Sequence, residues 1–219
     1  MIAKKIFDFM HIWKKEIITF LVVFLCLLLA VSFPANGDFQ LLSRIIFFLI
    51  ILPVLFIKFV LKSQLQEFGL NLSDTRKGLL WSFVMLIVSY LIALILFYFF
   101  HLENKYTIPS FVIDNFWVFV FYELAVMNFI IFVFEFFFRG FLQTILERRI
   151  GFWSPLIQFF VFLVFLFLTQ KLAWQYAPLI IVSLTGGIVA YKSKSFIYSY
   201  LMALIFTISF DLYIIELFK

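Results

Sequence analysis

Glu135 and Arg139 stand four residues apart in Phe134-Glu135-Phe136-Phe137-Phe138-Arg139-Gly140, an acid and a base inside a long apolar run. An unpaired carboxylate or guanidinium in hydrocarbon costs a few kcal/mol on insertion scales and more in simulations, so an intramembrane charge marks a candidate functional site. The plainer reading is structural. Glu at i and Arg at i+4 face each other on a helix in the favoured orientation, so the two can neutralise one another and lock a helix at the membrane boundary. Residue type and spacing allow both.

The element that carries the pair is the fourth of a series of apolar runs. It continues through Gln143 and Ile145 to Glu147-Arg148-Arg149 and is expected to end before Gly151, a suitable C-cap. At about 100° per residue, Asn128, Glu135 and Arg139 fall within about 40° of one another, a polar cluster that should face the bundle interior. Glu123 lies about 120° from Glu135 on the same wheel and joins that cluster only if the helix kinks. Its expected role is a hydrogen bond to a neighbouring helix. Asp211, four residues after Thr207, either meets Arg139 across the bundle or lies near the outer interface, and the charge distribution favours the interface. Gly186-Gly187 reads as a close helix-packing site or a helix end rather than a ligand loop.

Composition sets the solvent. The 219 residues are 66% hydrophobic and 13% charged, with 36 Phe, which excludes an ordinary soluble domain and points to a polytopic membrane protein. Crossing about 30 Å of hydrocarbon takes roughly 20 residues. Runs approaching or meeting that length cover approximately 17–33, 41–61, 79–100, 116–138, 155–169, 176–191 and 196–218. The expected fold is therefore an all-α transmembrane bundle of about seven helices in one domain, 1–219. The fifth and sixth runs are short for a full crossing. The first has too long an apolar core for a cleaved signal peptide, and no A-x-A-like site follows it. Trp13, Trp81, Trp117, Trp153 and Trp174 fall near predicted helix ends, as interfacial anchors should.

Lys and Arg are retained on the cytoplasmic side. A cytoplasmic N-terminus and an exterior C-terminus put 13 of the 17 basic residues inside and leave Arg44, Lys105, Lys171 and Lys219 outside. The net charge of +5 is thus a topology signal and an affinity for anionic lipid headgroups, with no nucleic-acid partner implied. The single cysteine, Cys26, rules out an intrachain disulfide framework.

The stretch Phe134 to Leu142, followed by Glu147-Arg148-Arg149-Ile150-Gly151-Phe152-Trp153-Ser154-Pro155, resembles the first motif and following turn of the CAAX protease and bacteriocin-processing family of intramembrane endopeptidases. Leu65-Gln66-Glu67-Phe68-Gly69-Leu70 resembles the loop before that family's core. Gly186-Gly187-Ile188-Val189-Ala190-Tyr191, leading to Ser195-Phe196-Ile197, resembles the turn before its last core helix. The similarity covers about residues 50–210 and implies a multi-pass protein of the cell membrane, of bacterial plasma-membrane type. It also implies an active site of Glu-Glu-x-x-x-Arg, Phe-x-x-x-His and His-x-x-x-Asn motifs. There the first Glu activates water, and the His and Asn groups bind or polarise the substrate carbonyl.

Against that pattern, Glu135 matches the second Glu and Arg139 the Arg, but Phe134 occupies the water-activating position. No His lies near Leu163 to Phe167 or near Ala203, and Thr207 falls at the Asn position. The only two histidines, His11 and His101, lie far from both. A general base typically contributes about 10²- to 10⁴-fold and an oxyanion donor about 10²- to 10³-fold, so losing both removes useful turnover. Catalytic zinc wants about three protein ligands at one point. The chain offers only Glu123, Glu135 and Asp211 as intramembrane carboxylates, so no metal or other cofactor is expected. The reading is a family-like protein without peptidase activity that binds or scaffolds a membrane-protein partner or peptide among membrane lipids. The rival is an unconventional endopeptidase that uses Glu135 as its base.

Overall fold

The computed structural model of the chain describes residues 2–35, 37–72, 74–101, 105–106, 108–113 and 115–217, with side chains for all of these except residues 2–16, 38 and 110. Among the described residues every regular element is helical. His11 and the Trp13 side chain lie outside the described set.

The chain falls into two compact units, Met1–Leu65 and Gln66–Lys219, where the sequence suggests one domain. The division falls in Ser63-Gln64-Leu65-Gln66, where a single leucine stands among polar residues. In the first unit, α1 runs over Ile2–Ser32. Helix α2 begins as Asp38–Ile46 and continues to Val60 through two π-helical segments, Phe47–Ile51 and Phe56–Val60. This unit buries Cys26, Ala30, Leu49 and Ile57.

The second unit holds the Glu135 motif. Helix α3, Thr75–Phe100, starts where Asp74 accepts a hydrogen bond from the Lys77 amide, a normal N-cap. It ends at His101, which takes the left-handed conformation at φ +49° and so cannot extend the helix. A short helix, α4, covers Ser110–Ile113. Helix α5 opens at Phe116, where the Asn115 side chain accepts from the amides of Trp117 and Val118, and runs unbroken to Ile150. Gly151, at φ +52°, ends it at the expected place. Helices α6, Ser154–Leu168, and α7, Ala177–Ser193, each carry Pro in the first turn, where its missing N–H costs nothing. Helix α8 spans Phe196–Leu217.

Among the described residues, five helical stretches are long and apolar enough to cross a membrane: Phe39–Val60, Thr75–Phe100, Phe116–Leu168, Trp174–Ser193 and Phe196–Leu217. The third counts α5 and α6 together, and the apolar part of α1, Ile17–Ser32, is shorter. The chain is therefore built as a multi-pass membrane protein. The 15 residues of α6 reach only about 22 Å at 1.5 Å per residue, less than the hydrocarbon thickness.

Two parts of α5 depart from α geometry. Tyr122–Met127 and Glu135–Gln143 are π-helical, and the second contains the whole Glu135 motif. Every residue from Glu135 to Gln143 is buried. π turns inside α-helices concentrate at functional sites because they re-aim side chains. Nothing in the hydrophobic spacing announces them.

Candidate functional site

Glu135 and Arg139 form a buried ion pair, with Arg139 Nη1 3.1 Å from Glu135 Oε1. Their side chains are 1% and 2% exposed. Placing two charges so deep is tolerated only with good geometry and further hydrogen bonds, and both are present. The Ser199 hydroxyl of α8 donates to Glu135 Oε2 at 2.6 Å. Arg139 Nη2 donates to the Val182 carbonyl of α7 at 2.8 Å. Each carboxylate oxygen thus has its own partner, and the pair joins α5 to two other helices.

The polar stripe continues along α5 at four-residue steps. Gln143 donates to the Gly187 carbonyl at 2.7 Å, and Glu147 pairs with Lys194 beyond the end of α7. The sequence reading placed Gln143 and Glu147 on this helix without assigning them a partner. In the structure Arg139, Gln143 and Glu147 bind successive points of α7 and its C-terminal turn.

Gly186 and Gly187 make that approach possible. A Cβ on Gly186 would touch Arg139 Nη2 at 3.4 Å and Glu135 Oε1 at 3.5 Å. On Gly187 it would press on Gln158 Oε1 at 3.0 Å and Gln143 Oε1 at 3.4 Å. Gln158, inside the apolar run of α6, contacts the Ser183 hydroxyl through Nε2 at 3.4 Å. An amide in so apolar a run is a signal that sequence inspection passed over.

Asn128 sits apart from the ion pair. Its amide oxygen accepts from the Tyr200 hydroxyl and its Nδ2 donates to the Leu124 carbonyl at 3.0 Å. Ser199 and Tyr200 are consecutive on α8, so Asn128 and Glu135 each reach that helix through a separate contact.

The positions where the family resemblance calls for chemistry hold an aromatic ring and a hydroxyl turned to its own helix. The Phe134 ring packs against Phe162 at 5.7 Å and Phe165 at 6.1 Å between centroids, and against Phe138 at 6.2 Å. Thr207 is fully buried and spends its hydroxyl on the Ala203 carbonyl at 2.9 Å. His101 is exposed at the end of α3. Among the described residues, no three His, Cys, Asp or Glu side chains come together as a metal site.

A cavity of about 220 Å³ borders the Arg139 side of the ion pair. Gln143, Thr144, Glu67, Arg148 and Lys194 are among the other residues that line it. Arg148 lies 3.8 Å from Glu67, both half exposed. The loop carrying Glu67 is fastened to the α7–α8 turn, since the Gly69 carbonyl accepts from the Phe196 amide and from the Ser195 hydroxyl, each at 3.1 Å. Two stretches singled out in the sequence therefore meet. Small-molecule pockets usually measure about 300–1,000 Å³, so this one suits a single side chain or a headgroup fragment. Arg139 Nε and Gln143 Oε1 are buried without a hydrogen-bond partner.

The other two intramembrane carboxylates lie elsewhere. Asp211 is 2% exposed and accepts from the Tyr106 hydroxyl at 2.6 Å, so it is covered by the loop before α4 and does not pair with Arg139. Glu123 faces Asp211, so the group it meets on the neighbouring helix is another carboxyl. Neither Tyr106 nor Ser199 was legible as a partner from sequence. The chain matches no family model, no curated protein and no solved structure.

Proposed function

We propose that the chain is a binding or scaffolding subunit of a membrane assembly, carried on a fold like that of the CAAX protease and bacteriocin-processing family and working without peptide-bond hydrolysis. The carrying observation is the occupation of Glu135. Both of its oxygens are engaged, by Arg139 at 3.1 Å and Ser199 at 2.6 Å, so the carboxylate spends a lone pair of each oxygen on contacts that hold the helices together. The Phe134 aromatic cluster supports the same reading, because it replaces a water-activating carboxylate with packed rings. The cavity beside Arg139 serves as the docking point for a side chain or headgroup of a membrane-protein partner, a peptide or a lipid. The N-terminus is cytoplasmic and the C-terminus exterior, in a plasma membrane of bacterial type.

One observation favours a rival. The cavity reaches Arg139, so a substrate carbonyl could approach the pair, with Glu135 as the base of an unconventional endopeptidase. The two are separated by reconstituting the native chain and Glu135→Gln in lipid with a candidate membrane peptide, and by pull-down in mild detergent with mass spectrometry. Cleavage by native protein that vanishes in folded Glu135→Gln defeats the binding reading. No cleavage by either, with a stable co-purifying membrane partner, supports it.

A further inference from the structure

Beyond the ion pair, α8 carries a second buried polar site toward its far end. From Ser199 to Asp211 the helix climbs about 18 Å at 1.5 Å per residue. Asp211 and Glu123 are 2% and 1% exposed. Glu123 lies beside Asp211 within hydrogen-bonding reach, yet as two carboxylates the pair has no donor between them, and neither Glu123 oxygen has a donor from elsewhere among the described residues. Tyr106, itself 8% exposed, donates to Asp211 Oδ1 at 2.6 Å. The titratable groups that face the pair are phenols: Tyr106 from the loop before α4 and Tyr122 from α5. Tyr176, before α7, acts on Tyr122. Among the described residues, none of the groups acting on the two carboxyls is a cation.

Water has little access to the pair. Val112 of α4, Phe119 of α5 and Ile215 of α8 pack into one apolar cluster with Ile108, Val120 and Tyr122 beside it. Phe119 stands one turn before Glu123, and Ile215 one turn after Asp211. Two carboxylates with no counter-cation in such surroundings cannot both remain charged, and the usual resolution is one proton between them. A divalent metal suits the site poorly, since Ca²⁺ takes six to eight oxygens.

The two acids are not equivalent. Asp211 already accepts the phenol hydrogen bond, the kind of contact a charged oxygen uses best. Glu123 receives nothing, so it has no donor to hold a negative charge. We infer that Glu123, Asp211 and Tyr106 form a buried proton-binding site, in which one proton taken from water resides on Glu123 and is hydrogen-bonded to Asp211. The proton links α5 to α8, and Tyr106 adds the loop before α4 to the same network. Its departure would leave two like charges facing one another and would loosen that end of the bundle.

Infrared spectra of the full chain in lipid vesicles, at neutral pH in choline chloride, test this. The native protein should show the carbonyl stretch of a protonated carboxylic acid, shifted on deuteration. The band should be lost in Glu123→Gln, kept in Asp211→Asn and displaced in frequency by Tyr106→Phe. Sodium chloride should leave it unchanged. A native spectrum without the band, or a band that survives in Glu123→Gln, overturns the site. Loss of the band on adding sodium also overturns it, because the occupant would then be an alkali cation. Should Glu123→Gln fail to fold, the native band, its sodium response and Tyr106→Phe still decide.

Discussion

The ring of Tyr198 lies so close to Gly78 that a Cβ on the glycine would collide with Tyr198 Cδ2, Cε2 and Cγ. Both are buried, and the contact brings α3 against α8 at the end where α8 begins. Gly78→Ala forces either the ring or the helix to move, and overpacking of this kind costs about 1–3 kcal/mol. Thermal unfolding in detergent should show that loss in the native background. In Tyr198→Ala the same substitution should cost little, and an equal cost in both backgrounds would mean that the ring contact does not set the spacing.

Removing one member of the Glu135–Arg139 pair leaves the other charged and buried. Arg139→Ala is expected to lose about 3–5 kcal/mol, enough to remove most folded protein. Replacing both members, as Glu135→Leu with Arg139→Met, should recover more than half of that loss, since apolar isosteres often match a buried pair. Folded yield by size-exclusion chromatography reads the difference. Normal yield for Arg139→Ala would contradict a structural role for the pair.

Tyr106 lies outside the membrane-spanning stretches, and its phenol is pushed well above the ordinary tyrosine range, chiefly by burial and then by the charge of Asp211. The folded state therefore holds the proton more tightly than the unfolded chain, whose tyrosine titrates near 10. Its contribution is complete below that value and declines as pH rises past about 10. Native protein should lose stability at alkaline pH more steeply than Tyr106→Phe. Parallel curves for the two would show that Tyr106 is not linked to folding.

The distribution of Lys and Arg predicts that reporters fused after Lys194 and after Lys219 report opposite faces of the membrane. One face for both would mean that α8 does not cross.

Local spacing made much of this legible. The apolar runs announced the long helices, the i, i+4 rule announced the Glu135–Arg139 contact, and Gly151 marked the end of α5. What stayed hidden depends on distant residues. Ser199 lies 64 positions from Glu135, Val182 lies 43 from Arg139, and Tyr106 lies 105 from Asp211. A hydroxyl or backbone carbonyl carries no mark in the sequence of which charge it will meet. The π-helical segments were hidden for another reason: side-chain type does not mark where the backbone hydrogen bonds shift from i−4 to i−5.

The separation between Glu135 and Ser199 sets a timetable for biosynthesis. Synthesis proceeds at about 5–20 residues per second, so the 64 intervening residues take roughly 3–13 s. During that interval Glu135 and Arg139 have only each other, and even Val182 arrives seconds late. The pair must therefore form within a nascent helical turn and enter the bilayer as one neutral unit, or wait beside the insertion machinery until α7 and α8 emerge.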